Sequence, residues 1–141
     1  MQETPRILII DDEERMLAML EKVLTRRGYA VRTCSAGKEA LRLLEEHPFD
    51  VVVTDLRMPD VNGMEILRTV KNLSPDTMVV MMTAFGSVDS AVEAMKAGAY
   101  DYLSKPFKIE ELLLILERAL EKWRLHKEVT SLRHEVWGRY Q

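Results

Sequence analysis

RILIIDDEER, residues 6–15, poses the question on which the fold turns. Four apolar residues, Ile7 to Ile10, run directly into Asp11, Asp12, Glu13 and Glu14. An apolar run this short and this uniform reads as a strand, Arg6–Ile10, buried on both faces. The acidic knot at its end is harder to place. Adjacent carboxylates repel, and burying one is costly unless a cation accompanies it. Either the knot is an exposed first helical turn, favoured by the helix dipole, or something positive belongs beside it.

Downstream, short apolar runs alternate with helical patterns. Met16, Leu17, Leu20, Val23 and Leu24 recur at helical spacing, and Gly28 stops that helix in a left-handed cap. Ala30–Cys34 is a weaker strand. Ala36–His47 is a helix with Ala40, Leu41, Leu43 and Leu44 facing inward, closed by Pro48. Val51–Thr54 is a strand apolar on both faces. Asn62 or Gly63 opens a helix carrying Met64, Ile66, Leu67 and Val70. Met78–Met82 is another two-sided strand. Ser87 caps a helix running through Ala97, and Gly98 ends it. Tyr100–Leu103 is a fifth strand, and a last helix starts near Lys108. Five βα units with strands apolar throughout predict an α/β fold, a parallel sheet covered on both faces with right-handed crossovers. In such open sheets the ligand crevice lies at the carboxyl ends of the strands.

Composition narrows the options. The 141 residues suit one domain, and a hydrophobic content of 47% suffices for a packed core. No stretch approaches the roughly 18 apolar residues of a membrane helix, and no basic-then-apolar signal pattern opens the chain, so a cytoplasmic protein without membrane contact is expected. Cys34 is the only cysteine, which excludes an internal disulfide and a cysteine-based zinc cluster and leaves a small core residue. The net charge of −3 is uneven: from Glu117 onward six Lys/Arg face four Asp/Glu, while 14 face 19 in the remainder. No strong nucleic-acid footprint results, and no direct DNA contact is expected.

Every strand but the second ends in a functional side chain. The first ends in Asp11 and Asp12, the third in Asp55, the fourth in Thr83, and the fifth in Lys105. In a parallel sheet these ends share one edge, so three carboxylates, a hydroxyl and an ammonium converge. Oxygen-only ligands suit a hard divalent ion such as Mg2+, which provisionally explains the acidic knot. A carboxylate beside Mg2+, here Asp55, can attack phosphorus and become an aspartyl phosphate. Lys105 and the metal would stabilise charge on the phosphoryl oxygens, and Thr83 would donate a hydrogen bond to one of them. Singly, each residue has an ordinary explanation as a helix turn, a cap, a strand residue or a solvated charge. Their arrival together at one sheet edge does not.

These residues resemble the receiver domain of bacterial two-component response regulators. The match covers about residues 5–122, with IIDDEE, VVVTDLRMPDVNGMEIL, VVMMTAFG and GAYDYLSKPF in order. The resemblance implies a flavodoxin-like (CheY-like) doubly wound five-stranded parallel sheet of order 2-1-3-4-5. It implies phosphorylation of Asp55 by a sensor histidine kinase. Mg2+ would be held by Asp11, Asp12, Asp55 and the backbone carbonyl of Arg57. Thr83 and Tyr102 would form a switch pair, and Lys105 would precede a cis peptide at Pro106. Such a domain is not a turnover enzyme; it catalyses only its own phosphoryl transfer and dephosphorylation. GSVDSAVEAMKAGAYDYLSKPF is further similar to the receivers of NtrC-type activators of sigma-54 transcription, whose ATPase and DNA-binding domains follow the receiver. A stand-alone receiver, or one joined to another output domain, is the alternative. No P-loop or helix-turn-helix pattern is present, so the sequence resembles the regulatory part of a longer protein.

Two other classes fit less well. A metal-dependent phosphohydrolase using an aspartyl phosphate usually carries a second Asp two residues after the nucleophile, where this chain has Arg57. A flavodoxin-like flavin binder needs a Ser/Thr/Gly-rich phosphate loop after the first strand, where this chain has Asp-Asp-Glu-Glu.

From Lys108 to about Val136 the chain has neither Pro nor Gly, and at ~1.5 Å per residue that helix extends well beyond a sheet-covering length. Ile109, Leu112, Leu113, Leu116 and Leu120 face the sheet. Beyond Trp123 a second stripe appears, Leu125, Val129, Leu132 and Val136, at heptad spacing that buries itself only against another helix. The expected organisation is a receiver over 1–122 and a helical, coiled-coil linker over 123–141 that makes a homodimer. Trp123 and Trp137 read as packing residues.

Overall fold

The computed structural model describes residues 4–84 and 86–139, excepting the side chains of Lys127 and of residues 129–139. The chain alternates strand and helix throughout: β1 (Arg6–Ile10), α1 (Glu14–Arg26), β2 (Ala30–Cys34), α2 (Gly37–Glu46), β3 (Val51–Asp55), α3 (Gly63–Leu73), β4 (Met78–Thr83), α4 (Val88–Lys96), β5 (Asp101–Ser104) and α5 (Ile109–Arg139). The strands form one parallel sheet of order β2-β1-β3-β4-β5. This is the flavodoxin-like, CheY-like arrangement.

Alternation along the three central strands divides the core in two. Leu8 and Ile10 of β1, Val52 of β3, and Val79 and Met81 of β4 pack with Ala40, Leu43, Ile66, Leu67, Val70 and Ala94 of α2, α3 and α4. Ile7, Ile9, Val51, Val53, Val80 and Met82 point the other way, onto Leu17, Leu20, Leu24, Leu112, Leu113, Leu116 and Ala119 of α1 and α5. Since both faces are covered, these strands have no solvent face and no polar alternation. Each fully buried Leu, Ile or Met contributes about 1.5–3 kcal/mol relative to exposure. β2, at the sheet edge, is buried only at Cys34.

Helix ends follow local chemistry. Gly28 and Gly98 take positive φ, 92° and 105°, just after α1 and α4, as left-handed caps require. Asn62 caps α3 by accepting from the Met64 amide at 2.8 Å. Ser87 caps α4, and Ser90 completes a reciprocal capping box. Two glycines permit close approach near the carboxyl edge. A Cβ on Gly63 would lie 2.3 Å from the Asp55 carbonyl oxygen, and one on Gly37 would lie 2.5 Å from Val61 Cβ.

Helix α5 is 31 residues long. Its first half covers the sheet, with Leu112, Leu116 and Ala119 fully buried, and Trp123 packs at the margin of that cluster. Past this point the described side chains, Arg124, Leu125, His126 and Glu128, are exposed. His126 Nε2 meets Asp76 Oδ1 at 2.9 Å, and the Lys122 ammonium lies 5.6 Å from the Tyr100 ring centroid. Leu125 is 51% exposed. The side chains of the other stripe residues, Val129, Leu132 and Val136, lie outside those described. Among the described residues no helix is long and apolar enough to cross a membrane.

Gly63→Ala is expected to destabilise the domain by about 2 kcal/mol, because the new methyl meets backbone rather than a movable side chain. Chemical denaturation checks this; an unchanged midpoint would show that the β3–α3 turn can yield.

Candidate functional site

Sheet register brings the site together. Ile10 pairs with Thr54, so Asp11 and Asp55 follow side by side on adjacent strands. Thr83 pairs with Ser104, so Lys105 follows β5 at the same edge. The hydrogen-bond ladder runs one residue past the strands: Asp11 N–H donates to Cys34 O at 3.1 Å, Leu56 N–H to Met82 O at 3.2 Å, and Lys105 N–H to Thr83 O at 2.9 Å. These bonds fix the backbone from which the polar side chains project.

Asp11 is fully buried and Asp55 is 6% exposed. The Lys105 side chain crosses the ends of β4 and β3 to reach both. Its Nζ lies 2.6 Å from Asp11 Oδ2 and 3.3 Å from Asp55 Oδ2. The other Asp11 oxygen accepts from the Glu13 amide at 2.9 Å, and the other Asp55 oxygen from the Arg57 amide at 3.3 Å. The acidic knot thus divides. Asp11 turns inward against an ammonium, while Asp12, Glu13 and Glu14 stay exposed at the entry to α1.

Burial pushes the Asp55 carboxyl above its ordinary range, and the neighbouring Asp11 charge pushes the same way. Lys105 and the Arg57 amide oppose the rise without cancelling it. Burial also works against the Lys105 ammonium, but the Asp11 hydrogen bond and the two carboxylate charges outweigh it, leaving that pKa raised.

Asp11, Asp12 and Asp55 each present a carboxylate oxygen, and these oxygens lie within 4.8 Å of one another. Two are buried and one faces solvent. An all-oxygen, acid-rich donor set open on one side suits Mg2+, which keeps several waters. The residues therefore fit the ion.

Thr83 is fully buried at the end of β4. Tyr102, on β5, is half-buried against the α2–α3–α4 core. Its hydroxyl lies 3.0 Å from Ser90 Oγ, inside the α4 capping box. A Cβ on Gly86 would lie 2.5 Å from the Tyr102 hydroxyl and 3.2 Å from Thr83 Cγ2. Gly86 therefore lies against both the Tyr102 ring and the Thr83 methyl, where a larger residue would not fit. Ser90 and Gly86 were not singled out from sequence for this role: Ser90 reads there as one more residue of the helix that Ser87 caps. The Lys105–Pro106 bond is cis.

Comparison with known proteins agrees with this geometry. Residues 7–117 match the response regulator receiver domain. Regulatory protein AtoC of Escherichia coli K12 is 39% identical over 139 residues, spanning 94% of this chain and 30% of that protein. Transcriptional regulatory protein ZraR of Klebsiella oxytoca is 42% identical over 119 residues, 84% of this chain and 27% of that protein. The solution structure of the beryllofluoride-activated NtrC4 receiver domain dimer superposes with a TM-score of 0.80 at 41% identity, covering 84% of this chain and 98% of that one. A sheet of this order with an acidic pocket at its carboxyl edge defines the class, a doubly wound α/β domain. The chain belongs to the response regulator receiver domain family. It spans less than a third of the length of the curated relatives it matches, 30% of AtoC and 27% of ZraR.

The raised Asp55 pKa fixes the sign of a pH effect. The folded protein holds this proton where the unfolded chain, near 3.8, has lost it. Metal-free stability from this group therefore falls as pH rises from the ordinary aspartate value through the raised one. Asp55→Asn should be more heat-stable than the parent at pH 7 in chelator, the gap closing toward pH 4, and should gain less from added Mg2+. Calorimetry across that range checks this; equal stability at pH 7 would contradict the charge argument.

Proposed function

We propose that this chain is a phosphorylation-activated receiver whose phosphoacceptor is Asp55 and whose phosphoryl donor is a sensor histidine kinase. What carries the reading is the placement of one Lys105 ammonium against both Asp11 and Asp55 at the carboxyl edge of the sheet. An Asp55 carboxylate oxygen attacks phosphorus. The Oδ–P bond forms, the P–N bond to the donor histidine breaks, and its electron pair returns to the imidazole. Asp11, Asp12, Asp55 and the Arg57 carbonyl would hold Mg2+. The ion supplies charge neutralisation at the phosphoryl oxygens. Lys105, once Asp55 is an acyl phosphate, pairs with a phosphoryl oxygen while keeping Asp11. Thr83 donates its hydroxyl to another.

Engagement of Thr83 alters the space it shares with Tyr102 beside Gly86. Tyr102 turning inward would release Ser90 and repack the face formed by α4, β5 and α5. A phosphoryl group shifts this equilibrium only through its differential contacts with the two states. Residues 1–122 form the receiver in this reading, and 123–141 a coiled-coil linker leading to a sigma-54 activator ATPase of the NtrC type. Support for that output comes from the AtoC and ZraR relatives and from the GSVDSAVEAMKAGAYDYLSKPF wording. The relative solved as an activated dimer supports homodimerisation, here through Leu125, Val129, Leu132 and Val136 on α5.

Acetyl phosphate with Mg2+ should add one phosphoryl group, about 80 Da by intact mass, and Asp55→Asn should remove it. Equal labelling of Asp55→Asn would displace Asp55 from this role. Thr83→Ala should still accept phosphate.

Sedimentation at several concentrations should show a dimer that weakens in Leu125→Lys/Leu132→Lys and in a chain ending at Lys122. Each paired stripe residue buries side-chain surface worth about 1.5 kcal/mol. A double variant as dimeric as the parent would move the interface off the helix.

A further inference from the structure

The β3–α3 loop, residues 56–62, carries the Arg57 carbonyl assigned above to the metal. Its start is tied to the central sheet, and its far end is closed back onto that start. Leu56 N–H donates to Met82 O at 3.2 Å and Gly63 N–H to Leu56 O at 2.7 Å. Its middle is tied to a different element. Asp60 Oδ1 accepts from the Gly37 amide at 3.0 Å and from the Val61 amide at 2.9 Å. Asp60 Oδ2 accepts from the Lys38 amide at 2.9 Å.

Gly37 and Lys38 are the first residues of α2, and their amides are among those that a helix leaves without internal partners. The residue at the cap position, Ala36, offers no side-chain acceptor. Asp60 supplies the missing cap from 23 residues downstream. The contact is close as well as polar, since the absent Gly37 Cβ is what lets Val61 lie on the start of α2. The Lys38 and Gly37 amides hold the Asp60 carboxyl below its ordinary range, so the clamp is fully charged at neutral pH. An exposed aspartate in a turn would ordinarily be a solvated charge. Here it is one end of a bridge between α2, which contributes nothing else to the site, and the loop that borders the phosphoacceptor.

We infer that Asp60 is a positioning residue for the phosphorylation site: clamped to the first two amides of α2, it holds the 56–62 loop where the Arg57 carbonyl completes the oxygen set begun by Asp11, Asp12 and Asp55. The inference rests on the reading of that set as a Mg2+ and phosphoryl site. Asp60 touches neither group and acts through the backbone between itself and Arg57.

The experiment measures Mg2+ affinity directly. Mg2+ is titrated into the metal-free parent, Asp60→Ala, Asp60→Asn and Thr77→Val, followed by amide chemical shifts at Asp11 and Asp55. The beryllofluoride adduct at saturating Mg2+ is a second readout. Thr77 Oγ1 donates to Phe49 O at 2.7 Å, away from the carboxyl edge, so Thr77→Val loses stability without touching the loop. Thr77→Val should keep the parent affinity. Asp60→Ala should bind Mg2+ about tenfold more weakly, as loss of a group that orients a metal ligand does. Asp60→Asn keeps one carbonyl acceptor and should fall between, and it carries the test if the alanine variant does not fold. Saturating Mg2+ should restore the adduct in both Asp60 variants. Parent-like Mg2+ affinity in the folded Asp60 variants, whatever their heat stability, overturns the inference while leaving the site intact. A parent that binds no Mg2+ at these carboxylates overturns the site and the inference together.

Discussion

The ammonium of Lys105 lies between two carboxylates that could not otherwise be buried together. Asp11 is completely enclosed and Asp55 nearly so. Taking one such charge out of water costs several kcal/mol unless it is paired, and leaving two side by side adds repulsion. The cation comes from the far side of the sheet. It can reach because β5 ends in register with β4, and because the Lys105 amide is pinned to the Thr83 carbonyl. The fold therefore carries its own counter-ion. Within the protein itself, Lys105 balances the charge of both carboxylates at the polar edge.

Much of this was legible in the sequence, for physical reasons that differ by element. β1, β3 and β4 have no solvent face, so their uniform apolar runs stand out, and the residues that follow them mark the carboxyl edge. β2 and β5 lie at the sheet edges and read more weakly. β5 was expected at Tyr100–Leu103 and lies at Asp101–Ser104, one residue on. Similarly, β3 extends one residue further, to Asp55, and β4 to Thr83. Periodicity locates a strand but not the last hydrogen bond of its ladder. α2 was expected over Ala36–His47 and spans Gly37–Glu46. The reason its start resists local reading is now visible: its cap is Asp60, which no window around residue 36 contains.

What stayed hidden at the site has the same character. Asp60 in MPDVNG reads as a turn residue, and Gly86 as loop punctuation. Ser90 reads as a small helix-surface residue. Each acquires meaning only through a partner distant in sequence: the amides of Gly37 and Lys38, or the ring of Tyr102. The buried carboxylates and the ammonium were visible because their types are unusual at strand ends. The residues around them were not, because their types are ordinary and their partners are tertiary. The Tyr102–Ser90 contact shows what such a partner adds. It joins the Tyr102 ring of β5 to the capping box that starts α4.

Helix α5 changes its task without a break. Up to Trp123 it is a wall of the core, and it continues as the same helix to Arg139. At ~1.5 Å per residue the continuation is about 24 Å long, so a tilt of roughly 10° at its base moves its tip by about 4 Å. That is a lever arm. Its fulcrum is the margin of the core where Trp123 packs. A small repacking at that margin would move the end of the helix by about the width of a methyl group.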